Sequence, residues 1–269
     1  MNPKEMAERM ETIRDNVKSI KNKILVMSGK GGVGKTTVAV NLALALADEG
    51  FKTGLMDIDL NGPNVARMVG LKKQPEVVEG QIFPPEALPN LKVISISSFV
   101  EEDAPVILRG PMKTTAIYHF LGDVMWGELD FLVIDSPPGT GDDPLTVLQT
   151  LTDLVAVVVT TPQAVAVQDV KRAINLVKTM HRDILGIVEN MSYLRCPHCG
   201  EVIRLFGEGG GKELENLFNI PLIGSLPFDP ALVGFSDTGK SIVTNMRGSE
   251  LETAYRETVR EIVKRVKVQ

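Results

Sequence analysis

The sequence predicts an α/β fold, with one domain built on a mostly parallel, twisted sheet and helices on both faces. Three observations lead there. Short apolar runs alternate with helical patterns along the chain, as in strands joined by crossover helices. The runs are apolar throughout rather than alternating, as strands covered on both faces are. A glycine-rich turn separates the first run from the first helix. The bulk figures agree. A chain of 269 residues, 43% hydrophobic and 23% charged, has enough apolar material for one large core.

The elements follow in order. Residues 1–22, "MNPKEMAERMETIRDNVKSIKN", are highly charged and read as a helix or a mobile lead-in, with the main domain over 23–269. "KILVMS" (23–28) is a buried strand, and "TTVAVNLALALADEG" (36–50) a helix stopped at Gly50. Further strands are expected over 52–60, 91–97, 131–136, 154–161 and 183–190, with a short one inside 220–229. Helices are expected near 112–125, 144–151, 163–181 and 249–267. Residues 71–90, rich in proline and charge, read as a surface loop.

Charge and targeting narrow the function classes. A net charge of −5 gives no whole-chain signal for nucleic acid, and no nucleic-acid partner is expected. No apolar run approaches the roughly 20 residues that span a bilayer. The charged N-terminus has no apolar signal region, so a cytoplasmic location is expected. There the two cysteines, Cys196 and Cys199, stay reduced.

The strongest chemical motif is "SGKGGVGKTT", Ser28 to Thr37. It contains Gly29, four intervening residues, then Gly34-Lys35-Thr36, between a strand and a helix as a P-loop requires. The fold class is therefore that of a P-loop NTPase, with ATP as the expected nucleotide. Backbone N–H groups of Gly29, Lys30, Gly31, Gly32, Val33 and Gly34 turn inward as an anion nest. The helix starting near Gly34 adds its positive end. Lys35 reaches the β- and γ-phosphates, the Thr36 hydroxyl ligates Mg²⁺, and Thr37 completes the loop. "FLVIDS" ends in Asp135, where a carboxylate would sit near that Mg²⁺. "GLMDIDLNGPN" puts Asp57 and Asp59 on one face of the second strand by the period-2 rule, at the ligand end of the sheet. Asp59 is the candidate for holding the attacking water or the Mg²⁺ shell, ahead of the turn Asn61-Gly62-Pro63. No strong general base is evident, so slow turnover is expected.

Lys30, directly after the first glycine, is the unusual residue. "GKGGVGKT" resembles the deviant Walker A motif of the MinD/ParA/nitrogenase-iron-protein superclass. The resemblance implies that Lys30 reaches across a dimer to the partner's nucleotide, as an arginine finger does. Lys30, Lys35 and Asp59 are thus the candidate catalytic residues.

The cysteines form "RCPHCG". A CxxC pair serves in zinc knuckles, redox dithiols and iron–sulphur sites. The helix start expected of a redox dithiol is missing. The deviant P-loop, "DIDLNGPN", "DSPPGTGD" and "ENMSYLRCPHCG" together resemble the Mrp/ApbC group of iron–sulphur cluster carrier ATPases over about residues 20 to 265. That resemblance implies a homodimer holding a [4Fe–4S] cluster on Cys196 and Cys199 of both subunits. It implies ATP-coupled transfer of the cluster to apo iron–sulphur proteins. It also implies that Asn190 contacts the adenine and that Pro227-Phe228 lies by the base. Zinc could take the same four-thiolate site. Some relatives carry an N-terminal cysteine cluster or an extra N-terminal domain, and functions needing those parts are not expected here. The rival reading is a MinD/ParA-like positioning or partitioning ATPase with a structural zinc knuckle.

The remaining motifs read plainly. His198 is expected as a solvated turn residue, with His119 and His181 structural. The last helix carries Leu251, Tyr255, Val259, Ile262, Val263 and Val266 on one face and Arg256, Arg260, Lys264, Arg265 and Lys267 largely elsewhere. It is expected to dock on the sheet with a basic rim, without stable membrane association. Gly207 to Gly211 is read as a hinge after the knuckle, and Arg109 as a turn residue able to line a dimer face.

Overall fold

The computed structural model describes residues 2–60, 62–99 and 110–266. The chain opens with α1 (Pro3–Val17) and β1 (Ile20–Ser28), then α2 (Lys35–Asp48), β2 (Thr53–Asp57) and a single turn, α3 (Val65–Met68). Three short strands, β3 (Glu76–Val78), β4 (Gln81–Phe83) and β5 (Glu86–Leu88), precede β6 (Leu91–Ser95). Next come α4 (Gly110–Gly122), β7 (Leu129–Asp135), α5 (Asp142–Thr150), β8 (Leu154–Thr160), α6 (Ala164–Thr179) and β9 (Asp183–Glu189). A small ribbon follows, β10 (Leu194–Arg195) and β11 (Val202–Ile203), then α7 (Gly210–Phe218) and β12 (Leu222–Ser225). The chain closes with α8 (Ala231–Asp237), α9 (Ile242–Asn245) and α10 (Glu250–Val266).

The main sheet has eight strands in the order β12-β9-β8-β1-β7-β2-β6-β5. All neighbours pair in parallel except β5, which runs antiparallel to β6 at one edge. Side-chain alternation divides the core. Ile24, Val26, Leu55, Val133, Val157 and Val159 face the layer of α2, α9 and α10. Leu25, Met27, Met56, Leu132, Ile134 and Ala156 face the layer of α1, α4 and α5, which α6 and α7 extend. The predicted single-domain α/β class with helices on both faces is the observed one. No helix among the described residues is long and apolar enough to cross a membrane.

Two expectations need correction and one is resolved. Of its two readings the lead-in takes the helical one, capped by Asn2 with a Glu5 capping box. Ile13 and Val17 are buried, and Arg9 pairs with Asp123, just past the end of α4, at 2.6 Å. The stretch 71–90 is not merely a loop: β3 and β4 form a hairpin and β5 extends the sheet. β2 ends at Asp57 rather than running to residue 60. The last helix docks as expected, with Leu251, Tyr255, Val259 and Ile262 buried. His119 pairs with Asp123, which keeps it structural. Asn61, Arg109 and Lys267 lie outside the described residues.

Candidate nucleotide and thiol sites

The turn from β1 into α2 is shaped by two glycines with no room for a side chain. A Cβ on Gly29 would stand 2.2 Å from the carbonyl carbon of Asp169 and 2.3 Å from the nitrogen of Val170, because the loop crosses the backbone of α6. Gly34, the residue before α2, has φ 78°, and a Cβ there would meet Asn190 Nδ2 at 2.2 Å. The free N–H groups of the first turn of α2 therefore open toward the loop. Lys30 is half-buried, and its ammonium has no ion-pair partner among the described residues.

Three parallel strand ends bring the acidic groups together. β7 delivers Asp135, and the register sets Asp57 opposite it on β2 and Ser95 beyond on β6. Lys35 Nζ pairs with Asp135 Oδ1 at 2.5 Å, and the Thr36 hydroxyl donates to Asp135 Oδ2 at 2.8 Å. Lys35 is 6% exposed and Asp135 0%. Burial pushes the Asp135 carboxyl above its ordinary range, and the Lys35 charge opposes that push.

Asp57 and Asp59 do not share a strand face, because β2 stops between them. Asp57 is 1% exposed and accepts from the Asp59 N–H at 3.0 Å, from the Ser95 hydroxyl at 3.0 Å and from the Val65 N–H at 3.4 Å. Burial, then the charge of Asp135, pushes its carboxyl up to about 8. Asp59 is half-buried in the following loop, and its charge bears on Asp135 and on Asp143 of α5.

Beside Thr36 and Thr37 opens a cavity of about 370 Å³. Asn190 and Met191 form one side, Pro227, Phe228 and α8 another, and Asn64, Arg67 and Met68 around α3 the third. Asn190 also donates from Nδ2 to the Val33 carbonyl at 2.9 Å, tying β9 to the phosphate loop. Asn190 and Pro227 thus lie with the P-loop threonines. The walls from α3 and α8 escaped sequence reasoning. The "NGPN" turn marked the approach to α3. Residues 229–237 carry no comparable signal.

The cysteines sit apart from the loop, in the turn joining β10 to β11. Cys196 N–H donates to Glu201 O at 2.8 Å and Gly200 N–H to Cys196 O at 2.9 Å. Gly200 has φ 76°, which lets the turn close tightly. The N–H groups of Cys199 and His198 point at the Cys196 sulphur and lower its pKa below the ordinary thiol value. Cys196 is half-buried, and His198 and Cys199 are exposed. Among the described residues no group of three or more His, Cys, Asp or Glu converges as a metal site, so one chain offers a thiol pair. The expected hinge at 207–211 is partly helical. α7 starts at Gly210, and Gly211 N–H is held by the buried Glu189 carboxylate at 2.6 Å.

Comparison with known proteins agrees with this geometry. A family model described as ParA: NUBPL iron-transfer P-loop NTPase matches residues 19–263. A Pyrococcus horikoshii protein named iron-sulfur cluster carrier protein is 44% identical over 268 residues, 96% of this chain and 90% of that one. A Trichoplax adhaerens protein named cytosolic Fe-S cluster assembly factor NUBP2 homolog is 45% identical over 253 residues, 91% of this chain and 95% of that one. Among solved structures, a nucleotide-binding protein from Archaeoglobus fulgidus in complex with ADP is 41% identical with TM-score 0.76, covering 86% of this chain and 91% of that one. The cell division ATPase MinD of Pyrococcus furiosus is 25% identical with TM-score 0.66, covering 91% of this chain and 99% of that one. A phosphate loop opening α2, an acidic cluster on the adjoining strand ends and a family match over nearly the whole length lead to one conclusion: this chain belongs to the NUBPL iron-transfer family of ParA-type P-loop NTPases.

Proposed function

We propose that the protein is an ATP-dependent iron–sulphur cluster carrier that works as a homodimer in the cytoplasm. The carrying observation is the thiol pair. Iron–sulphur clusters are held by four thiolates. A two-fold dimer of a chain with two cysteines supplies four, and C₂ is the commonest oligomer symmetry. Cys196 and Cys199 of each subunit would hold a [4Fe–4S] cargo at the shared face. The lowered pKa of Cys196 favours the thiolate that iron needs. The exposure of Cys199 favours release to an apo-protein. The names of the Pyrococcus and Trichoplax relatives support the reading.

The P-loop residues divide the work on ATP. The loop N–H groups and Lys35 hold the phosphates, and Asn190 and Pro227 flank the base. The Thr36 hydroxyl and Asp135 carboxylate are adjacent hard oxygen donors, which suits Mg²⁺. Thr36, Asp135 and, through its shell, Asp59 would hold that ion, whose chemistry is to neutralise phosphate charge. As Lys35 turns to the phosphates, Asp135 exchanges one cationic partner for another. Asp59 orients water, and Lys30 stabilises the partner's γ-phosphate charge. Among the described residues no strong general base is evident at the site, so hydrolysis is slow and acts as a timer for the dimer.

The test is transfer. Protein reconstituted anaerobically with iron and sulphide is mixed with an apo iron–sulphur enzyme, and recovery of that enzyme's activity is followed. Cys196→Ser should abolish recovery. If Cys196→Ser restores the acceptor as well as wild type, the carrier reading fails. Binding to DNA or vesicles that depends on ATP and not on the cysteines would favour the positioning-ATPase reading instead.

A further inference from the structure

The thiol ribbon is fastened at two points that nucleotide chemistry does not require. The first is backbone. Beyond β9 the chain runs beside the residues leaving β12. Leu226 N–H donates to Glu189 O at 2.8 Å, Ser192 N–H to Leu226 O at 2.9 Å and Phe228 N–H to Tyr193 O at 2.6 Å. Pro227 and Phe228 are walls of the cavity beside Thr36. Tyr193 is therefore bonded directly to the cavity wall, three residues before Cys196.

The second point is a side-chain cluster on Glu250, the first residue of α10. The Tyr193 hydroxyl donates to Glu250 Oε1 at 2.8 Å. Arg195 donates to the same carboxylate twice, from Nε at 2.8 Å and from Nη2 at 2.9 Å. Its Nη1 donates to Gly200 O at 3.0 Å, inside the cysteine turn. One guanidinium thus spans both ends of the turn and a carboxylate on the scaffold. That scaffold is packed into the core. α10 buries Leu251 and Tyr255 in the same core layer as α2, and Arg256 holds Asp48 at the end of α2 at 2.7 Å. A lone exposed ion pair would hold little. A bidentate fork sharing its carboxylate with a tyrosine restricts both position and orientation.

We propose that Tyr193, Arg195 and Glu250 form a positioning clamp that sets the cysteine ribbon against α10 and couples it to nucleotide occupancy at Pro227 and Phe228. The three are positioning residues, and none of them lines the cavity beside Thr36. The purpose of the clamp rests on the carrier reading, but its mechanics do not. When a nucleotide displaces the Pro227–Phe228 wall, Tyr193 moves with it. The shared carboxylate then passes the displacement to Arg195 and the Cys196–Gly200 turn. With the clamp cut, the ribbon no longer follows the cavity.

Hydrogen exchange on the full-length, cluster-free protein tests this, with and without ADP. In wild type, ADP should change the exchange of amides 194–203. In Glu250→Ala and Arg195→Ala, exchange there should rise roughly fivefold, the scale of losing a half-exposed charge network. The ADP-dependent difference should vanish, while ADP affinity stays within about twofold, since neither residue lines the cavity. Glu250→Gln, which keeps an acceptor for Tyr193 and drops the charge, should fall between and guards against a folding defect. Labelling of Cys196 by a thiol reagent should quicken in the same order. The proposal is overturned if ADP leaves ribbon exchange unchanged in wild type. Survival of the ADP effect in Glu250→Ala and Arg195→Ala would overturn it equally. No cargo is present in these measurements, so failure of the carrier reading would appear only in the transfer assay.

Discussion

Replacing Lys35 by methionine keeps most of the side-chain volume and removes the charge that faces Asp135. Asp135 is fully buried, and its ion pair with Lys35 spans 2.5 Å. Removing one member of a buried pair costs about 3–5 kcal/mol, because the other is left uncompensated. In a domain of this size that is a fall of roughly 6–20 °C in Tm. The pH dependence is sharper than the magnitude. Burial already raises Asp135 in the folded state, and Lys35 is the main influence holding it down. Without Lys35 the folded-state pKa rises further above the unfolded value. A group so raised contributes stability fully below its unfolded pKa and loses it as pH climbs through the folded one. Lys35→Met should therefore be mildly destabilised near pH 5 and strongly near pH 8. Asp135→Asn leaves the Lys35 ammonium with only a neutral partner and should cost a similar amount, but with little pH dependence over the carboxylate range. The double variant should be more stable than Lys35→Met alone at pH 8. Thermal and urea melts at both pH values decide it. A Lys35→Met penalty independent of pH, or a double variant no better than the single one, would refute this account of the buried pair.

Other predictions follow from the same geometry. Burial and the charge of Asp135 push the Asp57 carboxyl from its ordinary 3.8 up to about 8, so its contribution is intact below about pH 4 and is lost as pH rises through 8. Asp57→Asn should gain Tm relative to wild type between pH 5 and pH 9, and equal slopes for both proteins would contradict it. Gly29→Ala puts a methyl 2.2 Å from the backbone of Asp169; the loop or α6 must shift, and ADP affinity by calorimetry should fall at least ~tenfold, about 1.4 kcal/mol. Lys30→Ala removes a half-buried lysine that makes no ion pair among the described residues. Its melting curve should match wild type, while ATP-dependent dimerisation seen by sedimentation should be lost.

What the sequence made legible was local. The buried strands were readable because each is continuously apolar, and Gly29 to Thr37 because the chemistry and both flanks occupy one short stretch. The cysteine turn was equally local: N–H groups directed at the Cys196 sulphur follow from a tight turn closed by Gly200. Features built by long-range approach were hidden. α3 and α8 are too short to show a period. They meet where Gly70 and Gly239 touch backbone to backbone: a Cβ on Gly239 would lie 2.3 Å from the Gly70 Cα. Whether residues 1–22 form a helix or a mobile lead-in stayed open in the sequence because the anchors of α1, Ile13, Val17 and the Arg9–Asp123 pair, need α4 beside them. Asp59 was placed on a strand because the apolar pattern continues through Ile58 and Leu60, yet both are buried beyond the end of β2. The Tyr193–Arg195–Glu250 cluster joins positions 55 and 57 residues apart, and nothing local in either stretch announces the other.

In the proposed carrier, two chains share one cluster through four thiolates. Iron and acid-labile sulphide counted on anaerobically reconstituted protein, with mass measured on the same sample, tests it most directly. A shared cluster gives about four iron and four sulphide per two chains, in a dimeric species, with loss of both in Cys196→Ser or Cys199→Ser. One zinc per two chains with no iron uptake, or a full cluster on a monomer, would contradict it.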